Sequence, residues 1–190
     1  MNRRELLERM ALMMGGTLSA SAMRGALAGF EPAKKGSYVP QTLTPVQDEI
    51  VATMAELIIP TTDTPGARAA GVNRFIDGML TSIYTEAERK HFLVGLDNLE
   101  VRAKARGSDF LTSGVEAQVQ ILKELETESI EARGAGAAHE NFFHMFKELT
   151  LIGYYRSEIG ATQELRFLLI PGNYKGDVRF KKIGRAWSEP

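Results

Sequence analysis

Apolar residues return every three or four positions along most of this chain, and the stripes they draw predict helices separated by short polar breaks. Val46, Ile50, Val51, Met54, Leu57 and Ile58 form one stripe that stops before Pro60. Ahead of it, Thr44, Pro45 and Gln47 supply a capping threonine, a proline at the first helical position and a glutamine able to close a capping box. Val72, Phe75, Ile76, Met79, Leu80 and Ile83 restore the spacing, and Thr85-Glu86-Ala87-Glu88 is a second capping box that opens a helix through Phe92, Leu93, Leu96 and Leu99. Gly107 is its natural stop. Ser113-Gly114-Val115-Glu116 reads as a third capping box, leading Val115, Val119, Leu122 and Leu125 into a polar run that ends at Arg133. Between His139 and Ile159, the residues Phe142, Phe143, Phe146, Leu149, Ile152 and Tyr155 give the most aromatic stripe, expected to lie at the centre of the core and to end near Gly160. No stretch alternates with period two. The expected fold is an all-α bundle of about five helices with short connections and an extended C-terminal segment.

The breaks differ in character. Residues 29–43 show no period and hold two prolines, so they read as an extended arm ahead of a single domain over residues 44–190. Residues 60–71 pack two prolines and two glycines around Asp63, a residue type that hydrogen-bonds neighbouring backbone groups; a stiff turn between helices and a shaped functional loop both fit. Gly134-Ala135-Gly136-Ala137-Ala138 reads as a hinge, and Pro171-Gly172 starts a tail of glycine, charge and scattered aromatics.

Residues 1–28 carry a different pattern. Arg3 and Arg4 precede a weakly apolar run over residues 10–23, diluted by Gly15, Gly16, Thr17, Ser19 and Ser21, and Ala26-Leu27-Ala28 follows as a small-x-small cleavage site. Adjacent arginines with this arrangement are similar to the twin-arginine export signal, with Leu6 where phenylalanine is usual and Glu8 where lysine is. The run is too short and too polar to anchor stably in a bilayer. An amphipathic N-terminal helix with two chance arginines is the plainer alternative. Export by this route carries chains that fold first, which turns attention to a cofactor site in the remainder.

Cleavage after Ala28 leaves 162 residues with 19 basic and 22 acidic side chains, a net of −3 that argues for neither nucleic acid nor an anionic membrane as partner. Zero cysteines remove disulfides, thiolate-bound zinc, iron–sulfur clusters and covalent c-type haem from consideration. Other chemistry is also thin. His139 and His144 lie five apart, whereas two zinc ligands on one helical face need a spacing of four, so the pair splays by roughly an extra 100° of rotation. His91 has no neighbouring nucleophile to activate. Glu124, Glu126 and Glu128 sit in a charged run and read as a solvated face. Glycine-rich phosphate loops are missing. The chain thus looks exported as a folded object without a cofactor of its own, which a cofactor-bearing partner would resolve.

Two segments are more specific than a helical bundle requires. The first is Ile59-Pro60-Thr61-Thr62-Asp63-Thr64-Pro65-Gly66-Ala67, followed by Ala70-Gly71-Val72. The second is Gly153-Tyr154-Tyr155-Arg156-Ser157-Glu158-Ile159-Gly160-Ala161-Thr162-Gln163-Glu164-Leu165, continuing to Pro171-Gly172-Asn173-Tyr174-Lys175-Gly176. Gly153 inside a helical pattern costs about 1 kcal/mol relative to alanine and suggests a close backbone approach. Together with the leader, these segments resemble the gluconate 2-dehydrogenase subunit 3 family, the small non-catalytic subunits of membrane-associated sugar dehydrogenases.

That resemblance implies a periplasmic subunit that stabilises and co-exports a large catalytic subunit of the glucose-methanol-choline type, the FAD residing in that partner and no cofactor in this chain. The twin-arginine translocase would be a transient partner. Electrons would pass from the flavin to a cytochrome c subunit or a soluble acceptor, and the substrate would be a sugar, sugar acid or glycoside. The matching positions put the partner interface at Asp63, Thr64, Pro65, Gly66, Gly153, Tyr154, Glu158, Thr162, Gln163, Pro171, Gly172 and Tyr174. Relatives often continue with cysteine and proline after the last glycine, whereas this chain has Asp177-Val178-Arg179-Phe180. Without a disulfide clamp, affinity falls to apolar burial, with Tyr154, Tyr155, Tyr174 and Trp187 as anchors, although packing inside the chain is the preferred reading of Tyr155. Two other readings compete: a free-standing periplasmic helical enzyme, and a structural protein anchored by an uncleaved leader.

Overall fold

A computed structural model describes residues 21, 38–137, 141–170, 172–173 and 177–188. Its described residues hold five long helices and no sheet: α1 (Pro45–Ile58), α2 (Val72–Ser82), α3 (Glu86–Lys104), α4 (Val115–Gly134) and α5 (Phe142–Arg156). A short wide turn, Gly160–Glu164, and a four-residue helix, α6 (Phe180–Ile183), follow. α5 packs against each of the other four long helices, so the most aromatic stripe is the hub of the all-α bundle. Phe146 is fully buried there, with the rings of Phe92, Phe142 and Phe143 centred 6.1–6.4 Å from its own. Phe92 meets Phe142 edge to face at 5.2 Å. Gly95 makes this contact possible, since a Cβ there would lie 2.1 Å from the Phe142 ring.

Local chemistry starts the helices as the pattern predicts in two cases. Thr44 Oγ1 accepts from the Gln47 N–H while Gln47 Oε1 accepts from the Thr44 N–H, and Thr85 with Glu88 makes the same reciprocal pair. The third expected box does not form. Gly114 is the N-cap of α4, and Ser113 turns inward to donate to the carbonyl of the buried Phe110, which also receives the Gln118 amide. The Ser113 hydroxyl thus joins the Gln118 amide on the Phe110 carbonyl and is not available to cap α4.

α5 also departs from expectation at both ends. Asn141 caps it, accepting from the His144 N–H, and it closes at Arg156 rather than near Gly160. Ser157 leaves the helix in extended conformation; its hydroxyl donates to the Tyr154 carbonyl at 2.6 Å and accepts the Gly160 N–H at 3.0 Å. A Cβ at Gly160 would sit 2.0 Å from the Tyr154 carbonyl oxygen, so only glycine lets the chain fold back this tightly. His139 lies outside the described residues, and no grouping of metal-ligating side chains occurs among those described.

The carboxylates read as a solvated face do lie at the surface, as half-exposed ion pairs: Arg102 of α3 holds Glu128, Arg106 just beyond α3 holds Glu124, and Lys147 of α5 holds Glu126. The arm is also more ordered than a linker in its described part. Residues 38–43 lie along α2, where the buried Asp77 carboxylate accepts the N–H groups of Gln41, Thr42 and Leu43 at 2.9–3.0 Å. Tyr38 donates to Asp48, and the Arg74 guanidinium lies 5.2 Å above its ring. Burial, with Asp48 and Asp77 nearby, drives the Tyr38 phenol pKa upward. Within the predicted leader, Ser21 is buried and donates to Glu88 at 2.6 Å. No helix among the described residues is long and apolar enough to cross a membrane.

Candidate partner-docking site

The loop between α1 and α2 is organised from below by Glu56, on the last turn of α1. Its carboxylate accepts the Thr61 N–H at 2.8 Å, the Thr61 hydroxyl at 2.7 Å and the Arg68 N–H at 2.9 Å. Thr61 Oγ1 in turn accepts from the Gly66 N–H. A Cβ on Gly66 would fall 2.5 Å from the Glu56 carboxylate, which accounts for glycine there. Arg68 reaches back to Glu49 and Thr53. Asp63, expected to bind the loop backbone, stands exposed at the tip and accepts only the Thr62 hydroxyl among its recorded bonds. Nothing in residue type marks Glu56; the signal is positional, a carboxylate in a final helical turn facing open N–H groups.

Burial would raise the Glu56 pKa, but the hydrogen bonds from Thr61 and Arg68, with the Arg68 charge, hold it below its ordinary 4.5. A depressed carboxyl stabilises the fold above the unfolded value and loses that contribution as pH falls through the folded one. Glu56→Gln is therefore expected to cost about 1 kcal/mol at neutral pH. The gap to the native chain should narrow below pH 4.5, read from urea denaturation across pH.

Two contacts then join this loop to the last turn of α5 and the turn that follows it. The Tyr154 hydroxyl donates to the Pro65 carbonyl at 2.9 Å, and the Thr64 hydroxyl donates to Glu164 Oε2 at 2.8 Å, across 89 and 100 residues of chain. The two specific segments are thus one clasp. The tyrosines exchange the roles expected of them: Tyr154 is 1% exposed and packs inside the chain, whereas Tyr155 is 37% exposed. Tyr154 stands four and eight residues from the buried Thr150 and Phe146, one face of α5, and the next residue is rotated off that face. Gly153 is buried as well, its close approach being to the Phe75 ring, 2.7 Å from where a Cβ would lie. Neither Gly153 nor Tyr154 offers side-chain surface to a partner, and Gly66 is buried too.

What remains exposed around the clasp is Asp63, Glu158, Thr162 and Gln163, with Thr64 and Pro65 half-buried. Thr162 donates to the Glu158 carbonyl, and the Gln163 carbonyl accepts from Arg185, so the returning C-terminal tail is pinned beside them. Trp187 pairs with Arg166 through backbone bonds on both sides, the Arg166 guanidinium 4.7 Å above its ring. Gly172 is exposed with φ 72°; Pro171, Tyr174, Arg3, Arg4, Ala26 and Ala28 lie outside the described residues. The sequence reading passed over Phe167, Leu168, Leu169, Ile170 and Phe180, which the fold leaves facing water, Leu169 by 73% and Ile170 by 84%. A run of apolar residues following a hub helix was a signal available in the sequence, and its outward direction was not.

Polar groups held rigidly beside exposed apolar side chains make a recognition surface. Comparison with curated proteins and with solved structures finds no match. The family model for gluconate 2-dehydrogenase subunit 3 matches residues 45–172, from the first residue of α1 to the glycine just beyond the exposed apolar run, taking in both halves of the clasp. The chain belongs to the gluconate 2-dehydrogenase subunit 3 family, and with it to the accessory subunits of dehydrogenase complexes.

Proposed function

We propose that this chain stabilises and co-exports, by the twin-arginine route, a large FAD-dependent dehydrogenase of the glucose-methanol-choline type that oxidises sugars or sugar acids in the periplasm. The observation that carries the reading is the clasp. Thr64–Glu164 and Tyr154–Pro65 hold Asp63, Glu158, Thr162 and Gln163 at the surface of a chain whose family is a dehydrogenase subunit. A preformed surface loses little conformational entropy on docking, which suits a subunit that binds its partner before export. The flavin belongs to the partner in this reading, as does electron delivery to a cytochrome c subunit or soluble acceptor. Arg3 and Arg4 supply the export signal for both chains.

Co-expression with a candidate large flavoprotein subunit from the same source tests the proposal. Native chain should co-purify with the flavoprotein and bring sugar-dependent dye reduction into the periplasm, and Arg3→Lys/Arg4→Lys should leave the activity inside the cell. Asp63→Arg/Glu158→Arg alters only exposed side chains and is expected to weaken co-purification at least about tenfold with thermal unfolding unchanged, two charge reversals at an interface. A flavoprotein that exports and works without this chain defeats the escort role.

A further inference from the structure

We propose that residues 166–170 and 177–188 form a peripheral contact site for an anionic phospholipid surface. The overall charge argues otherwise only because it averages two unlike parts. Residues 29–165 hold 13 basic and 20 acidic side chains, whereas residues 166–188 hold six basic ones, Arg166, Lys175, Arg179, Lys181, Lys182 and Arg185, against Asp177 alone. The basic part is also the part that leaves large apolar side chains in water. Phe167–Ile170 runs exposed from Arg166, Phe180 is exposed beside Lys181 and Lys182 on α6, and Trp187 returns to Arg166 through the backbone bridge. The bridge, together with the Arg166 guanidinium donating to the Ile183 carbonyl at the end of α6, ties the Phe167–Ile170 strip to the tail that carries Phe180 and Trp187.

Trp, Phe, Leu and Ile set among Lys and Arg is the composition of segments that lie in a membrane interface, where the rings enter the headgroup layer and the cations meet lipid phosphates. A protein partner fits less well. Arginine and aromatic residues suit protein interfaces too, but lysine is depleted there, and an acidic protein face would have to match cations spread over 23 residues. With no described helix able to span a bilayer, contact at the surface is the geometry available to these residues. The inference does not rest on the escort role.

Trp187 is the only tryptophan, so its emission reports this segment alone. The full-length chain is titrated with phosphatidylcholine vesicles with and without phosphatidylglycerol. Trp187 emission should shift to the blue, and the chain should float with the vesicles, only when phosphatidylglycerol is present, and added salt should reverse both. Lys181→Gln/Lys182→Gln is expected to lower partitioning about 30-fold, near fivefold per cation at an anionic surface. Leu169→Asp/Ile170→Asp should abolish the spectral shift with unchanged far-ultraviolet circular dichroism. Flotation through the leader with Trp187 emission unaltered overturns the proposal. So does indifference of the native chain to phosphatidylglycerol while Leu169→Asp/Ile170→Asp loses co-purification with the flavoprotein, which assigns the patch to protein docking.

Discussion

Phe146→Ala is expected to destabilise the chain by about 4 kcal/mol, the usual cost of removing a fully buried ring from a packed core. Phe146 is 0% exposed on the helix that touches every other long helix, and its ring contacts Phe92 of α3 as well as Phe142 and Phe143 of α5. Little backbone around it can collapse into the void, because the rings that line it are held by their own helices. Phe146→Leu keeps most of the volume and should cost about 1–1.5 kcal/mol. Urea denaturation gives both values. The functional consequence runs through α5: it carries Tyr154 and leads into the turn bearing Glu164, so the alanine variant should lose capture of its dehydrogenase partner in proportion to its unfolded fraction. Equal midpoints for Phe146→Ala and the native chain would contradict the hub role of α5.

Asp77→Ala is expected to cost about 3 kcal/mol and to free the arm. Three N–H groups, those of Gln41, Thr42 and Leu43, converge on one carboxylate that is 2% exposed, and hydrogen bonds to a charged acceptor are the stronger kind. With the carboxylate gone, the Leu43 N–H is left in a buried site and the other two must find water. Asp77→Asn retains the oxygen that serves Thr42 and Leu43 and presents an amide to Gln41, for a cost of about 1–2 kcal/mol. Limited proteolysis distinguishes local from global effects: cleavage ahead of Thr44 should rise steeply in the alanine variant at temperatures where the bundle remains helical.

Helix identity was readable because it depends on neighbours within one turn. The stripes of α1, α2 and α3, the boxes at Thr44 and Thr85 and the stop at Gly107 each involve residues three or four apart, and each formed as expected. The family resemblance was readable for a related reason, since two uninterrupted motifs keep their residues in order. Misreadings arose where a local preference met a distant demand. Ser113 was drawn from its cap by the Phe110 carbonyl, and α5 stopped early because Ser157 and Gly160 close on the Tyr154 carbonyl. Tyr154 and Tyr155 could not be sorted by type, because adjacent tyrosines differ only in which face of α5 meets the loop after α1.

The sequence by itself determined the all-α class, the two capping-box helix starts at Thr44 and Thr85, and the family. Those features rest on periodicity, capping chemistry and motif order, all short-range along the chain. Tertiary structure alone decided that Thr64 meets Glu164, that Asp77 gathers the arm, and that Phe167–Ile170 face outward. Contacts across 34 to 100 residues depend on how α5 is seated among four other helices, a choice made by packing volume and by the satisfaction of buried polar groups, neither of which a linear pattern records.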